Sequence, residues 1–141
     1  MGSIMTDVVS SQDGRESSCL FCDVVLLRDR EILAENDSFL AVFDSYPVNP
    51  GHVLLVSRRH VETPFELSSG EGADLTDILR SAKAILEERF RPDGYNVGIN
   101  AGSVAGQTVP HLHIHLIPRY NGDVENPRGG IRNFKKSLVP Y

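Results

Sequence analysis

The sequence predicts an α+β fold in which a mainly antiparallel, five-stranded sheet carries one long helix. Short apolar runs separated by turn residues occur in both halves of the chain, and a single long segment repeats apolar residues at helical spacing. The order of these segments is strand, strand, strand, helix, strand, strand, which is typical of this fold class. With 141 residues, the chain is long enough for one domain with a substantial core.

The first three predicted strands lie in the N-terminal half. Ile32–Glu35 and Phe39–Phe43 are short apolar runs separated by a turn-like Asn-Asp-Ser spacer, so they indicate a hairpin. Val53–Ser57 is the third strand, and the chain enters it from a Pro-Gly pair. Residues 1–18 are polar and are predicted to form a disordered arm, which leaves 19–141 as a single domain.

One amphipathic helix follows these strands and precedes the last two. Apolar residues at steps of three and four form one stripe: Leu75, Ile78, Leu79, Ala82, Ile85, Leu86 and Phe90. Pro92 and Gly94 end this helix. The remaining strands are predicted at Tyr95–Ile99 and His111–Ile117. From Pro118 onward the chain is rich in Gly, Pro and charge, and is predicted to be irregular.

Composition excludes several classes of protein. Hydrophobic residues make up 40% and charged residues 23%, as in ordinary globular domains. A net charge of -5 argues against sequence-independent binding to nucleic acid, which depends on Lys and Arg contacts. No apolar run is long enough to span a membrane, and no secretory signal is evident. With only two cysteines there is no disulfide framework, so a cytoplasmic location is expected.

Three histidines at alternate positions are the strongest functional signal. Because strand side chains alternate between faces, His111, His113 and His115 are predicted to share one face. The opposite face carries apolar side chains that are expected to pack in the core: Leu112, Ile114 and Leu116. A single histidine on a strand is usually structural, whereas three in this register are hard to explain by packing. Such a face indicates metal binding or nucleophilic catalysis by the middle ring.

The loop before these histidines favours the nucleophilic alternative. Residues 100–108 are polar and contain two glycines, whose small size lets backbone N–H groups approach an anion. Gln107 and Thr108 add side-chain donors. Alone, the loop is equally well explained as a simple turn. Beside the histidines, it predicts a phosphate-binding loop next to a nucleophile.

Residues 106–117, which read GQTVPHLHIHLI, resemble the signature of the histidine triad (HIT) family of nucleotide hydrolases and transferases. The segment from Asp44 through residues 50–56, which read PGHVLLV, is also similar to that family, as is the helix between the two. The resemblance covers roughly residues 19–122. It implies a HIT-like α+β fold, a homodimer with the two sheets joined edge to edge, and a purine nucleotide substrate.

The resemblance also implies a role for each histidine. His113 corresponds to the nucleophile, which forms a covalent nucleotidyl-histidine intermediate that water then hydrolyses. Attack requires a neutral ring, so its other nitrogen is expected to donate to a backbone carbonyl. His111 and His115 would flank it, one of them toward the phosphate oxygens. His52 matches a further family histidine that supports the triad.

Four more residues match substrate-binding positions of the family. Gln107 and Thr108 match positions that contact the phosphate and assist the leaving group, and Asn100 matches a residue that contacts phosphate or sugar. Asp44 matches the position that holds the ribose hydroxyls, for which a carboxylate is a suitable acceptor. The alternative for Asp44 is a turn cap after the second strand.

Two further segments are candidate walls of the site. Phe21 and the strand around Phe39 are positioned to flank the base. Residues 123–132 and the pair Lys135–Lys136 gather cations near the C-terminus. They indicate either a loop that reaches the leaving group and sets specificity or a solvated surface tail.

A zinc site is a separate hypothesis. Cys19 and Cys22 have the spacing of half a zinc site, although two such cysteines can also be apolar core thiols. Bacterial members of the family complete such a site with two histidines, which the resemblance identifies as His60 and His111. Four such ligands would form a closed, structural site, and catalysis itself would need no cofactor.

The expected reaction is attack of His113 on the α-phosphate, which releases a nucleoside monophosphate from a phosphoramidate or a dinucleoside polyphosphate. Asp44 is closer to the phosphoramidase-like branch of the family, whereas Thr108 and residues 118–120 are closer to the dinucleoside polyphosphate hydrolases. Three alternatives remain open: a nucleotidyltransferase or phosphorylase of the same superfamily, a non-enzymatic nucleotide-binding partner protein, and a metallohydrolase with zinc on the triad.

Overall fold

A computed structural model describes residues 18–134. All but the last residue of the predicted N-terminal arm lie outside this range, as does the Lys135–Lys136 pair. The described elements are, in chain order, α1 (Leu20–Leu27), β1 (Ala34–Glu35), β2 (Phe39–Phe43), β3 (Val53–Ser57), α2 (Ser69–Phe90), β4 (Gly94–Gly98) and β5 (His113–Arg119), with 3-10 turns at Pro64–Glu66, Ser103–Ala105 and Gly130–Phe134.

The strands form one antiparallel sheet in the order β1-β2-β3-β5-β4, which confirms the predicted α+β fold. The register places Val56 opposite His113 and Leu54 opposite His115. Val42 lies opposite Leu54 on the next strand. Since paired residues point to the same face, both histidines and these apolar residues share one side of the sheet.

The long helix α2 packs against the other side. The helix starts at a capping box between Ser68 and Glu71. This start lies seven residues before the first residue of the predicted apolar stripe. The stripe does not reveal it, because glycines and polar residues fill the first turns of the helix. The cluster between helix and sheet contains Phe39, Ala41, Val53, Leu55, Val61, Ile78, Ala82, Leu86, Leu112, Ile114 and Leu116. The apolar face predicted for the last strand is thus confirmed as part of the core.

A second helix, α1, covers the histidine side, and the sequence analysis missed it. Its residues Phe21 and Val24 are buried against β2 and β3. The helix has only eight residues and begins at an unusual cap: the Cys19 thiol accepts a hydrogen bond from the backbone N–H of Cys22 at 3.2 Å. Neither helical periodicity nor a common capping residue signals so short an element.

The last strand is shifted by two residues from its predicted position. β5 begins at His113 because the backbone N–H of Leu112 bonds to Val61 in a loop and that of His111 bonds to Val109, so neither joins the ladder. At its other end β5 includes Pro118, within the segment predicted to be irregular. Beyond the last residue paired with β3, this end of β5 pairs only with β4, where a proline is tolerated.

Candidate active site

Three neighbouring strands bring the candidate catalytic residues together. His113 and His115 project from β5 on the side covered by α1. His52 immediately precedes β3 and Asp44 immediately follows β2, and a 2.9 Å bond between the Asp44 amide and the His52 carbonyl continues the ladder. His52 and Asp44 therefore lie beside His115 although they are distant from it in sequence.

His113 is oriented by a backbone hydrogen bond. Its Nδ1 lies 2.8 Å from the carbonyl oxygen of His111, so Nδ1 carries the proton and Nε2 keeps its lone pair. The edge of its ring packs against Phe21, with ring centroids 4.8 Å apart. His113 also lines a cleft.

His52 is held inside the turn that leads into β3. The backbone N–H of Val48 donates to its Nδ1 at 3.0 Å, and the residue is 2% exposed. Gly51, with φ of +86°, permits the tight turn. Burial lowers the pKa of His52, while the nearby carboxylate of Asp44 opposes that shift. The neutral form of His52 is therefore favoured.

His115 and Asp44 complete a hydrogen-bonded group with His52. Nε2 of His52 lies 2.9 Å from Nδ1 of His115 and 3.3 Å from Oδ2 of Asp44. Burial lowers the pKa of His115, with His113 and His52 adding to the shift and Asp44 opposing it. Oδ1 of Asp44 accepts from the backbone N–H of Tyr46 at 2.9 Å. Asp44 is thus a turn cap that also faces the histidines.

These residues line a cleft of about 400 Å³. Asn100, Thr108 and Phe21 also line it, and so does Leu54. Phe39, in contrast, is fully buried on the α2 side, so its expected place beside the base is wrong for that residue. Leu54 pairs with His115 on the neighbouring strand, so its side chain points to the same face as the histidines. Strand alternation applied to Val53–Ser57 would have identified it as a residue that lines the cleft.

A second cleft, of about 900 Å³, adjoins the first. His52, His115 and Asn100 line both clefts. The far wall of the second comes from the C-terminal 3-10 turn, through Ile131 and its neighbours Gly130, Arg132 and Phe134. The end of the described part of the cationic tail therefore lines the same cleft as His52 and His115.

Gln107 is engaged within its own loop. Its Nε2 donates to the carbonyls of Glu62 at 2.8 Å and Val109 at 3.1 Å, and its Oε1 accepts from the N–H of Gly102 at 2.8 Å. These bonds fix the path of the loop. They leave Thr108, which is exposed, as the loop's side-chain donor along the first cleft.

His111 belongs to a different cluster from the other two triad histidines. Its Nδ1 faces the Sγ atoms of Cys19 and Cys22 at 3.3 and 3.4 Å and Nδ1 of His60 at 3.1 Å. His111 lies on the α1 side of the sheet like His113, with its ring 6.1 Å from that of Phe21, but it faces a different group of side chains.

The cluster of Cys19, Cys22, His60 and His111 is chemically suited to a metal ion. Nε2 of His111 donates to the Ser57 carbonyl at 2.7 Å, so its Nδ1 presents a lone pair. Burial, with His60 and His113 adding, lowers the pKa of His111 to about 4 and keeps it neutral.

The distances within the cluster also fit zinc. Each cysteine sulfur lies 3.1 to 3.5 Å from the facing histidine nitrogens, and all four ligand atoms are within 4.8 Å of one another. Tetrahedral zinc bonds of about 2.3 Å to sulfur and 2.0 Å to nitrogen place ligand atoms roughly 3.3–3.8 Å apart. The cluster can thus hold zinc.

The sequence was compared with models of known families, and the HIT domain matches residues 27–122. The chain belongs to the HIT family. This confirms the resemblance found in the sequence. An AP-4-A phosphorylase from Mycobacterium tuberculosis is 37% identical over 106 residues, which cover 73% of this HIT chain and 54% of that protein. The chain therefore spans about half the length of that relative.

Two further HIT relatives are informative. A bis(5'-adenosyl)-triphosphatase from Dictyostelium discoideum is 40% identical over 101 residues, covering 72% of this chain and 68% of that protein. The solved structure of a zinc-bound histidine triad family protein from Mycobacterium smegmatis has a TM-score of 0.67 and 32% identity, covering 76% of this chain and 78% of that one. Among residues 18–134, no helix is long and apolar enough to cross a membrane.

Proposed function

We propose that this HIT protein is a nucleotide hydrolase in which His113 attacks the α-phosphate of a nucleotide conjugate. The hydrogen bond from Nδ1 of His113 to the His111 carbonyl carries the proposal, because it leaves Nε2 as a lone-pair donor in the cleft. Relatives named as a bis(5'-adenosyl)-triphosphatase and an AP-4-A phosphorylase support a substrate of this class.

In this proposal each neighbour of the nucleophile in the cleft has a role. Asp44 binds the ribose hydroxyls, and Asn100 and Thr108 donate to the phosphate. Nε2 of His113 forms a bond to phosphorus as the bond to the leaving group breaks. Water then attacks the phosphorus of the nucleotidyl-histidine, which releases the nucleoside monophosphate and frees His113. Splitting one displacement into two steps lowers the barrier to each.

Replacement of the nucleophile tests the proposal. His113→Asn is expected to reduce turnover by on the order of 10⁴–10⁶-fold, the scale seen when a nucleophile is removed from other enzymes. It should retain its melting temperature and bind nucleotide, because the cleft remains. Thr108→Ala, which removes only a donor, is the comparison and should slow the reaction far less.

Trapping the adduct completes that test. Quenching wild-type protein with labelled substrate should give an acid-labile, base-stable adduct on His113, as expected of a phosphoramidate linkage. Near-normal turnover of His113→Asn, or an adduct on another residue, would contradict the proposal. Nucleotide binding without turnover of any conjugate would favour the non-enzymatic alternative.

A phosphorylase is the second candidate, and the name of the Mycobacterium tuberculosis relative favours it. Here inorganic phosphate replaces water in the second step and the product is a nucleoside diphosphate. The two reactions share the adduct on His113, so the product distinguishes them. Nucleoside diphosphate formed in proportion to added phosphate would identify a phosphorylase.

We also propose that Cys19, Cys22, His60 and His111 bind one structural zinc. Support comes from the ligand distances and from the zinc-bound relative of known structure. Purified without chelator, the protein should contain about one zinc per chain, and Cys22→Ala should lose the metal and melt at a lower temperature. Absence of zinc together with an unchanged melting temperature in Cys22→Ala would reject the site.

The metallohydrolase alternative has less support, because the described side chains form no metal-ligand group that includes His113. It predicts that a chelator abolishes turnover at once. The structural site predicts that a chelator acts only through loss of folded protein.

We further propose a homodimer joined through β4. Among the described strands, β4 lies at one end of the sheet and pairs only with β5. Its other edge is therefore open to pairing with a second copy of the chain. Light scattering should give twice the mass of one chain.

A further inference from the structure

We propose that Arg30 binds the edge of the nucleobase through its guanidinium group, and that this contact makes the enzyme select guanine over adenine in the nucleotide whose phosphate is attacked. The inference rests on the proposed function and specifies the base of its substrate. Arg30 lies outside the sequence motifs, in the link between α1 and β1.

Arg30 lines the first cleft together with the candidate catalytic residues. Its side chain is half-buried there. Among residues 18–134, its guanidinium makes one hydrogen bond, from Nη1 to the carbonyl oxygen of Phe43 at 3.4 Å, and no ion pair. The N–H groups on Nε and Nη2 of Arg30 are therefore available to a ligand in the cleft.

The other half-buried arginines of the described range have a carboxylate partner. Arg58 pairs with Glu35 at 2.6 Å, and Arg119 pairs with Asp123 at 2.8 Å. A guanidinium that is partly removed from water needs acceptors to replace the lost hydration. A ligand with acceptor atoms would supply to Arg30 what these carboxylates supply to the other two arginines.

The distance of Arg30 from the histidines matches the length of a nucleotide. His115 on β5 lies opposite Leu54 on β3. The next strand is β2, and Phe43 at its end accepts the hydrogen bond from Arg30. Neighbouring strands are about 4.8 Å apart, so two strand intervals separate Arg30 from the histidine strand by roughly 10 Å. A 5′-nucleotide reaches about this far from its phosphorus to the outer edge of a purine.

The groups along the cleft follow the order of the parts of a nucleotide. In the proposed function, the phosphate lies at His113 and the ribose hydroxyls at Asp44. The base then extends past Asp44, toward the end of the cleft that Arg30 lines. Phe21, which also lines the cleft, offers apolar surface to a face of the base. The hydrogen-bonding edge of the base is left for Arg30.

The geometry of a guanidinium group selects between the two purines. Two of its N–H groups form a planar fork that matches two acceptors side by side. Guanine presents O6 and N7 as such a pair, whereas adenine presents N7 beside an amino group that is itself a donor. Adenine would therefore turn a donor toward Arg30 and lose one of the two hydrogen bonds. A bidentate contact of this kind discriminates against the wrong base by roughly 5–150-fold.

Equilibrium binding of nucleoside monophosphates tests the inference without any turnover. In calorimetry, the wild-type protein should bind GMP more tightly than AMP by roughly 5–150-fold. IMP keeps O6 and N7 but lacks the 2-amino group, so it should bind like GMP. 7-deaza-GMP lacks N7 and should lose most of the preference. AMP that binds as tightly as GMP, or IMP that binds like AMP, would overturn the inference.

Two substitutions of Arg30 assign the preference to its fork of donors. Arg30→Met removes the donors and keeps a long side chain, whereas Arg30→Lys keeps the charge without the fork. Both variants should lose the preference for GMP over AMP. The matched control is Arg80→Met on α2, where the arginine side chain is 77% exposed, and it should keep the wild-type preference. A preference that persists in Arg30→Met would overturn the inference, and the wild-type series decides alone if the variants do not fold.

Formation of the His113 adduct separates this inference from the proposed function. Guanosine conjugates should form the adduct with a higher kcat/KM than the matching adenosine conjugates. Equal values for the two, together with equal binding of GMP and AMP, would refute base selection while the proposed function stands. Selective binding of GMP without an adduct from any conjugate would support the role of Arg30 and refute the proposed hydrolase. Absence of binding by every nucleotide would overturn both.

Discussion

Replacing Gly51 with alanine should lower the free energy of unfolding for two local reasons, backbone strain and steric contact. Gly51 has φ of +86°, where a residue with a Cβ costs ~1–2 kcal/mol. A Cβ there would lie 3.1 Å from Cδ2 of Phe90 and 3.2 Å from Cγ of Pro118. Overpacking of this kind adds ~1–3 kcal/mol. Since Phe90 can give slightly, we expect a total of ~2–4 kcal/mol.

Thermal unfolding measures this effect. For a chain of this size, 1 kcal/mol corresponds to roughly 3 °C, so Gly51→Ala should melt ~6–12 °C lower. The matched control is Gly72→Ala in α2, where a Cβ meets nothing within 4 Å and the same substitution should stabilise by ~0.5–1 kcal/mol. If Gly51→Ala melted at or above the temperature of the wild type, the argument from backbone strain and contact would be refuted.

The other predictions concern the nucleotide and pH. Asp44→Ala should weaken binding of ribonucleotides more than that of deoxyribonucleotides, by ~1–3 kcal/mol, because a buried hydroxyl loses its acceptor; equal losses in calorimetry would leave Asp44 as a turn cap only. Hydrogen bonds from Arg59 and the Ser68 backbone lower the pKa of Glu71 from 4.5 to about 2, so its contribution to stability is present above pH 4.5 and is lost as pH falls toward 2. Glu71→Gln should therefore lower the melting temperature at neutral pH and approach the wild type near pH 2; a difference that stays constant with pH would contradict this assignment.

Regular elements with a clear period were predictable from the sequence. Phe39–Phe43 and Val53–Ser57 agree with β2 and β3 at both ends, because turn residues bracket each apolar run. Strand alternation predicted that His113 and His115 point to one face of the sheet and Ile114 to the other, and the structure agrees. These inferences use only local spacing, which the chain itself supplies.

Features that depend on tertiary contacts were not predictable in this way. The turn of α1 at Cys19 is stabilised by a thiol cap and by packing on the sheet, neither of which has a sequence signal. Gln107 was expected at the phosphate, but backbone groups of a distant loop residue, Glu62, satisfy its amide. The hydrogen bond that orients His52 comes from the backbone N–H of Val48, and no residue type reveals such a donor.

His111 contributes to the nucleophile through an atom that no substitution removes. Its carbonyl oxygen accepts the hydrogen bond from Nδ1–H of His113, while its side chain faces the cysteine cluster. For the nucleophile itself, the identity of residue 111 thus matters only through the path of the backbone, to which its side chain contributes in the cysteine cluster. During evolution, another side chain could occupy position 111 and preserve catalysis, provided that some other contact fixed that path. A mutational scan that treats the three triad histidines as equivalent would therefore misread a tolerated substitution at position 111. Such a result would show that the backbone path is preserved, not that the reaction can proceed without a nucleophilic histidine.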